Sequence, residues 1–333
     1  MVNAPNSNTV LRSGAMIADV ADDGIETVSS PLGHALVETA RKDKRIVGLS
    51  ADLAKYTDMH IFRDEMPDRF HQIGMAEMAM MGAAAGLAQE GFVPFVSTYS
   101  VFATRRAYDW LLLDIAEQNL NVNLVCALPG LTTGYGPSHM AFDDLAILRA
   151  CPNLTILDPC DATDIEAATP AMVADEGPTY MRLLRGRVPK ILHNYDGEFG
   201  LGKARRLRTG DNALVISSGL TTQRVLEATE ELDKDGIEVE VLHLATIKPL
   251  DEAAVLEAIA RSERPVFTAE NHSVVGGLFE SVAAAMAKSG QTKRITPISL
   301  PDAFPEAGAL PTLEDKYGIS SAQIAKTIRS SQS

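Results

Sequence analysis

The stretch that decides the fold is residues 76–127, AEMAMMGAAAGLAQEGFVPFVSTYSVFATRRAYDWLLLDIAEQNLNVNLVCA. A helical pattern of small residues over 76–89 turns at Glu90-Gly91 into the short apolar run 93–96. A second helical pattern over 105–118 leads into the apolar run 122–127. Working outward, Leu32, Ala35, Leu36 and Thr39 fall at helical spacing ahead of a buried run at 46–49, and further apolar runs lie at 154–157 and 179–184. Helices alternating with short apolar strands imply an α/β fold with a mostly parallel sheet covered on both faces. Between Arg185 and Gly210 the chain turns rich in Gly, Arg and Pro, with the turn signals of HNYDGEFG. Beyond it the alternation restarts, with strands at 213–217, 239–244 and 266–269 and helices at 221–234 and 251–262. The expectation is two doubly wound domains, 26–192 and 193–333. Residues 1–25, opening MVNAPNSNTVLRSGAM, read as a disordered tail without signal-peptide character.

Composition narrows the function classes. With 46% hydrophobic residues in 333, the chain can bury one large core or two ordinary ones. Lys and Arg number 30 against 44 Asp and Glu, a net charge of −14 that repels phosphate backbones and anionic membranes, so neither nucleic acid nor a membrane is an expected partner. No apolar run approaches the roughly 20 residues that span a bilayer. The three cysteines, Cys126, Cys151 and Cys160, form no CxxC pair and sit at no metal-ligand spacing. A cytoplasmic location is the default. GxGxxG, GxxxxGKS/T and GxSxG are all missing, so a dinucleotide fingerprint, a P-loop and a nucleophile elbow have nothing to rest on.

Parallel α/β sheets bind ligands at the carboxyl ends of their strands, and four such places carry candidate residues. Asp52 follows the 46–50 run and reads either as a cap or turn former or as a ligand. Glu77 is the lone charge between Ile73 and Ala88. It could serve the helix dipole or, partly buried, exchange a proton with a ligand nitrogen, and the residues alone leave both open. Tyr99 and Phe102 stand three apart beyond a strand, as core or as stacking platform. His139 lies in the glycine-rich loop GLTTGYGPSHMAFDD, available for acid–base work.

Taken together, GLSADL (48–53), IGMAEMAMMGAAAGLA (73–88), FVSTYSVFATRRAYD (95–109), GPSHMAFDDLAILRACPNLTILDP (136–159) and ENHSVVGGL (270–278) resemble the C-terminal half of a transketolase, in this order and over nearly the whole chain. The resemblance implies that 26–192 is a thiamine diphosphate pyrimidine-binding domain and 193–333 a transketolase C-terminal domain. The family's diphosphate-binding domain, with its GDG…N metal motif, has no counterpart here. The chain is therefore similar to the smaller partner of a split transketolase. A separate N-terminal subunit would hold the diphosphate and the magnesium, in an α2β2 assembly.

The implied activity is transfer of a ketol unit from a ketose to an aldose through the thiamine ylid, a transferase reaction on aldehyde or ketone residues. By resemblance, Glu77 bonds the aminopyrimidine nitrogen, Phe102 stacks on that ring with Tyr99 beside it, and Asp52 lies near the cofactor. His139 would contact substrate oxygens and Arg185, in RLLRGRVP, a sugar phosphate. His272 and Gly276-Gly277 would be structural. Departures concern the sugar: GLTTGYG is shorter than the family's GLTVGEDG and places Tyr135 at the acidic pair, Leu128 replaces a histidine and Ser29 an arginine. An unusual donor such as apulose 4-phosphate or a sulfonated sugar becomes plausible. The competing readings are the beta subunit of a 2-oxo-acid dehydrogenase, whose loop more often reads QHSQ, and a non-catalytic scaffold, against which the joint retention of Glu77, Phe102 and His139 argues. Deoxyxylulose phosphate synthase has a similar loop but is normally one long chain.

Overall fold

The computed structural model describes residues 25–261 and 263–332. The tail expected over 1–25 lies, apart from Ile25, outside them. Among the described residues the first sheet has the order Thr246–Lys248, Thr155–Leu157, Thr179–Leu183, Asn123–Ala127, Val93–Tyr99, Ile46–Ser50, Phe70–Gln72. All its pairings are parallel except that of Thr246–Lys248. The second sheet runs Ile295–Leu300, Val266–Ser273, Ala213–Ser217, Val239–Leu244, Ala204–Arg208, antiparallel only at the last pair. This is the α/β architecture expected. Its central strands are buried at every position because helices cover both faces, which is why they read as apolar runs rather than alternations. Connections leave Ile46–Ser50 and Val93–Tyr99 in opposite directions across the first sheet, and loops part at such a switch to open a crevice at the carboxyl ends.

Two features differ from the sequence expectation. Thr246–Lys248 comes from the second half of the chain yet closes one edge of the first sheet, opposite Ile156 and Leu157. The single helix expected at 105–118 is instead broken. Helix begins at Ser100, directly off the strand, and Ser100–Arg105 is followed by the short turn Tyr108–Trp110 and the π-helical Leu111–Ala116. Ser100 Oγ donates to Cys126 O at 2.9 Å, which ties the helix start to the neighbouring strand, and Thr104 Oγ1 donates to Ser100 O at 2.8 Å within the first turns. No helix among the described residues is long and apolar enough to cross a membrane.

The two sheets meet across buried polar side chains. Arg182 is 1% exposed, and its Nε and Nη2 donate to Asp144 at 2.8 and 3.1 Å. Its Nη1 donates to Asp158 at 3.1 Å and Nη2 also to Asn271 O at 2.9 Å. Burial works against the guanidinium charge, but Asp144 and Asp158 outweigh it and hold the group above its ordinary value. From the second sheet, His272 Nε2 accepts the Leu145 N–H at 3.2 Å while its Nδ1 lies 2.8 Å from Ser273 O, partners that assign the neutral Nδ1–H tautomer. Glu270 accepts the Leu278 and Phe279 N–H groups at 2.6 and 2.9 Å, at the start of the helix Leu278–Ser289.

This joint sets a pH dependence of stability. Burial, partly opposed by the Phe279 and Leu278 amides, pushes Glu270 up to about 7, and burial, partly opposed by Asp144, brings His272 down to about 4. The Glu270 share is fully present below the unfolded value of 4.5 and is lost as pH rises through 7. The His272 share runs the other way, being lost as pH falls from 6.5 towards 4. Between pH 4.5 and 6.5 the two oppose each other. Glu270→Gln should therefore uncover the histidine, making the variant gain stability relative to wild type as pH rises, by up to about 1.4 kcal/mol per unit. Urea unfolding at pH 5, 6 and 7 checks this, and parallel profiles for the two proteins would refute it.

Candidate active site

The helix Glu77–Gln89 is built from Ala, Met and Gly with one carboxylate at its first position, where the helix dipole favours negative charge. Glu77 is only 4% exposed. Its Oε1 lies 3.5 Å from the Arg106 guanidinium. That same guanidinium lies over the Phe102 ring, 3.9 Å from its centroid. Arg106 follows Phe102 at i+4, the spacing that places side chains on one helical face, and its side chain is half exposed. A flat cation in contact with a buried carboxylate and stacked on an aromatic face leaves a candidate seat that a flat heteroaromatic ring could take. Glu77 would engage a basic ring nitrogen, Phe102 would offer the stacking surface, and Arg106 has solvent into which to withdraw.

Around this seat the structure gathers most of the residues singled out in the sequence. Tyr99, 1% exposed at the end of its strand, has its ring 5.7 Å from that of Phe102. His139 stands edge-on to Phe102 at 5.6 Å and to Tyr99 at 6.1 Å, and Tyr135 packs at 5.5 Å from His139. Nδ1 of His139 lies 2.9 Å from Ser138 Oγ. Arg185 follows the strand Thr179–Leu183 and feels the charges of Tyr99, Asp58, Tyr135 and Tyr56. Burial, partly offset by Tyr99 and Asp58, lowers its basicity, and its buried Nε has no hydrogen-bond acceptor among the described residues. A half-buried guanidinium with an unused donor is chemistry that could take an anion. Asp52 is different: it is exposed, has φ 60°, and pairs with Gln72, whose Oε1 accepts the Asp52 N–H at 2.8 Å.

Three contributors went unnoticed in the sequence. Arg106 carried a usable signal in its i+4 spacing from Phe102. Tyr56 and Asp58 carried none, because they face Arg185 only through the fold. Asp58, buried in the left-handed region at φ 59°, accepts the Gly186 N–H on both carboxylate oxygens at 3.1 and 3.3 Å. Burial, held back by Gly186, Arg185 and Ser30, pushes it up to about 6. Gly33 permits this placement, since a Cβ there would stand 2.5 Å from Asp58 O. Among the described residues no group of His, Cys, Asp and Glu is arranged to hold a metal ion.

Residues 27–190 match the family described as transketolase, pyrimidine binding domain, and 202–324 that described as transketolase, C-terminal domain. The chain is 59% identical to an uncharacterized transketolase family protein of Sinorhizobium fredii, covering 96% of this chain and 93% of the relative. It is 39% identical to a 6-deoxy-6-sulfo-D-fructose transketolase subunit of a Clostridium species, covering 87% and 90%. Among solved structures, a split gene transketolase recorded as an inactive β4 tetramer superposes with a TM-score of 0.82 at 33% identity, over 92% of this chain and 99% of that one.

Proposed function

Because the chain belongs to the transketolase family, we propose that it is the C-terminal subunit of a two-chain transketolase that moves a ketol unit from an anionic ketose to an aldose. The observation that carries this reading is the buried Glu77 carboxylate meeting the Phe102 face, with the Arg106 guanidinium lying against both. The cofactor would be thiamine diphosphate, which supplies a carbon nucleophile for cleavage of a C–C bond next to a carbonyl. Glu77 would bond the pyrimidine nitrogen and hold or release its proton, Phe102 and Tyr99 would wall the ring, and Asp52 would lie at the rim. His139 would hydrogen-bond the sugar oxygens and Tyr135 a hydroxyl. Arg185, with its Nε donor unused, would take the terminal phosphate or sulfonate. The relative named for a sulfo-sugar supports the anion at that end. The domain limits we propose are 26–192 for pyrimidine binding and 193–333 for the C-terminal domain.

The partner would be an N-terminal subunit holding the diphosphate and magnesium, in an α2β2 assembly in the cytoplasm. Exposed apolar side chains around the Glu77 helix support a second chain closing the site. Met75 and Met78, 81% and 43% exposed, flank Glu77, and Trp110 and Leu113, 38% and 48% exposed, lie on the adjoining helical turns. The test mixes this chain with a subunit carrying the GDG…N motif, thiamine diphosphate and magnesium, and follows a panel of phosphorylated and sulfonated ketoses. Turnover should need both chains. Turnover of pyruvate but of no ketose would replace the reading with a 2-oxo-acid dehydrogenase, and assembly without any thiamine-dependent reaction would leave a scaffold.

A further inference from the structure

The loop carrying Tyr135 and His139 is held along its length by the second half of the chain. At its start, Asn271 Oδ1 accepts the Leu131 N–H at 2.8 Å and its Nδ2 donates to Leu131 O at 3.3 Å. In the middle, the Gly308 N–H donates to Gly134 O at 3.0 Å. The backbones touch there: a Cβ on Gly134 would stand 2.3 Å from Gly308 O, and one on Gly136 3.4 Å from the Ala307 Cβ. Towards its end, the Ser273 N–H donates to Phe142 O at 2.9 Å, and the Phe304 ring stands edge-on to Phe142 at 5.8 Å. Tyr135 thus lies between two glycines that are both pressed against residues 307–308, and His139 follows within a turn, its N–H donating to Gly136 O at 3.0 Å.

We propose that the segments Asn271–Ser273 and 301–309 of the C-terminal domain position the sugar-binding loop, so that Gly134, Phe304 and Asn271 determine how well the ketose binds without touching it. This deepens the functional reading above and rests on it. The physical reason is that a loop with glycines at 130, 134 and 136 has too much conformational freedom to hold two side chains in one arrangement unaided. Arg105 of the first domain supplies part of that restraint, donating to Pro137 O at 2.9 Å and Met140 O at 3.3 Å, and the second domain supplies the rest through the Asn271 side chain, backbone hydrogen bonds and one aromatic contact. Glu77 and Phe102 stand on helices of the first domain, so the cofactor seat is anchored apart from the loop, which it meets where His139 stands edge-on to Phe102. Positioning errors of about an ångström are costly to substrate capture.

The test compares Gly134→Ala, Phe304→Ala and Phe304→Tyr in the reconstituted complex. Gly134→Ala should raise the ketose KM about ten- to a hundred-fold while exchange of the cofactor's C2 proton stays within about two-fold. Phe304, 79% exposed, can be truncated without threatening the fold. Its alanine variant should raise KM by about three- to ten-fold, with the tyrosine variant restoring it. In the isolated chain, hydrogen exchange of the 131–139 amides should quicken in both Gly134→Ala and Phe304→Ala and in no other part of the first domain. Unchanged KM and unchanged loop protection would overturn the proposal. So would a KM increase matched by equal loss of C2 exchange, which means general unfolding. A wild-type complex that turns over no ketose would instead remove the functional reading, and the loop protection would still decide whether the second domain holds the loop.

Discussion

Glu77→Gln should slow exchange of the C2 proton of thiamine diphosphate in the reconstituted enzyme by about 10²- to 10⁴-fold, the range of a positioned acid–base group. Glutamine has the size and shape of glutamate, so the helix start and the surrounding packing keep their form, and assembly with the partner should be unaffected. What disappears is a carboxyl oxygen able to share a proton with a ring nitrogen. Ketol transfer should fall in parallel, since in the proposed reaction every later step would follow removal of that proton. The measurement is loss of the C2 proton signal in deuterated buffer, with the melting temperature as control. Wild-type exchange in the variant would sink the assignment of Glu77, and with it the placing of Phe102 as the stacking face.

The second large effect is on stability. Arg182→Met should destabilise the chain by about 3–5 kcal/mol, because Asp144 and Asp158 are left buried without their counter-charge. Both carboxylates are nearly inaccessible, at 0% and 3% exposure, so water cannot replace the guanidinium. Tyr180, which donates to Asp144 at 2.8 Å, and Ser218, which donates to Asp158 at 2.8 Å, cannot neutralise them. Adding Asp144→Asn and Asp158→Asn to the same chain should recover a substantial part of the loss, since the uncompensated charge and not the missing volume is the main penalty. Urea unfolding of the three chains measures both numbers. A single variant within about 1 kcal/mol of wild type would mean the joint between the sheets does not depend on this arginine.

Much of the fold was legible because parallel strands covered on both faces must be apolar throughout, and runs such as Ala213–Ser217 and Val239–Leu244 coincide with the strands. The early helix start at Ser100 was not legible, because Ser100 Oγ bonds the Cys126 carbonyl, which only the folded chain brings near. Nor was the membership of Thr246–Lys248 in the first sheet, since three residues at an edge carry no periodic signal. In the site, Tyr99, Phe102, Tyr135 and His139 lay in motifs, and the folded chain brings their rings together. Asp58 and Asn271 act through neighbours distant along the chain, and Arg106 joins its local partner Phe102 to the more distant Glu77.

By itself the amino-acid order determined the α/β layering, the family and the motifs that carry the candidate site residues. Periodicity and local motifs are properties of neighbouring residues and survive in one dimension. Only the tertiary structure decided that an arginine would bridge the buried carboxylate and the aromatic face. It alone decided too that two carboxylates would share Arg182 and that residues 271–273 and 304–308 would pack on the loop carrying Tyr135 and His139. Most of those contacts join residues that the chain keeps far apart, 131 to 174 positions for the loop braces, and close packing rather than local preference selects them.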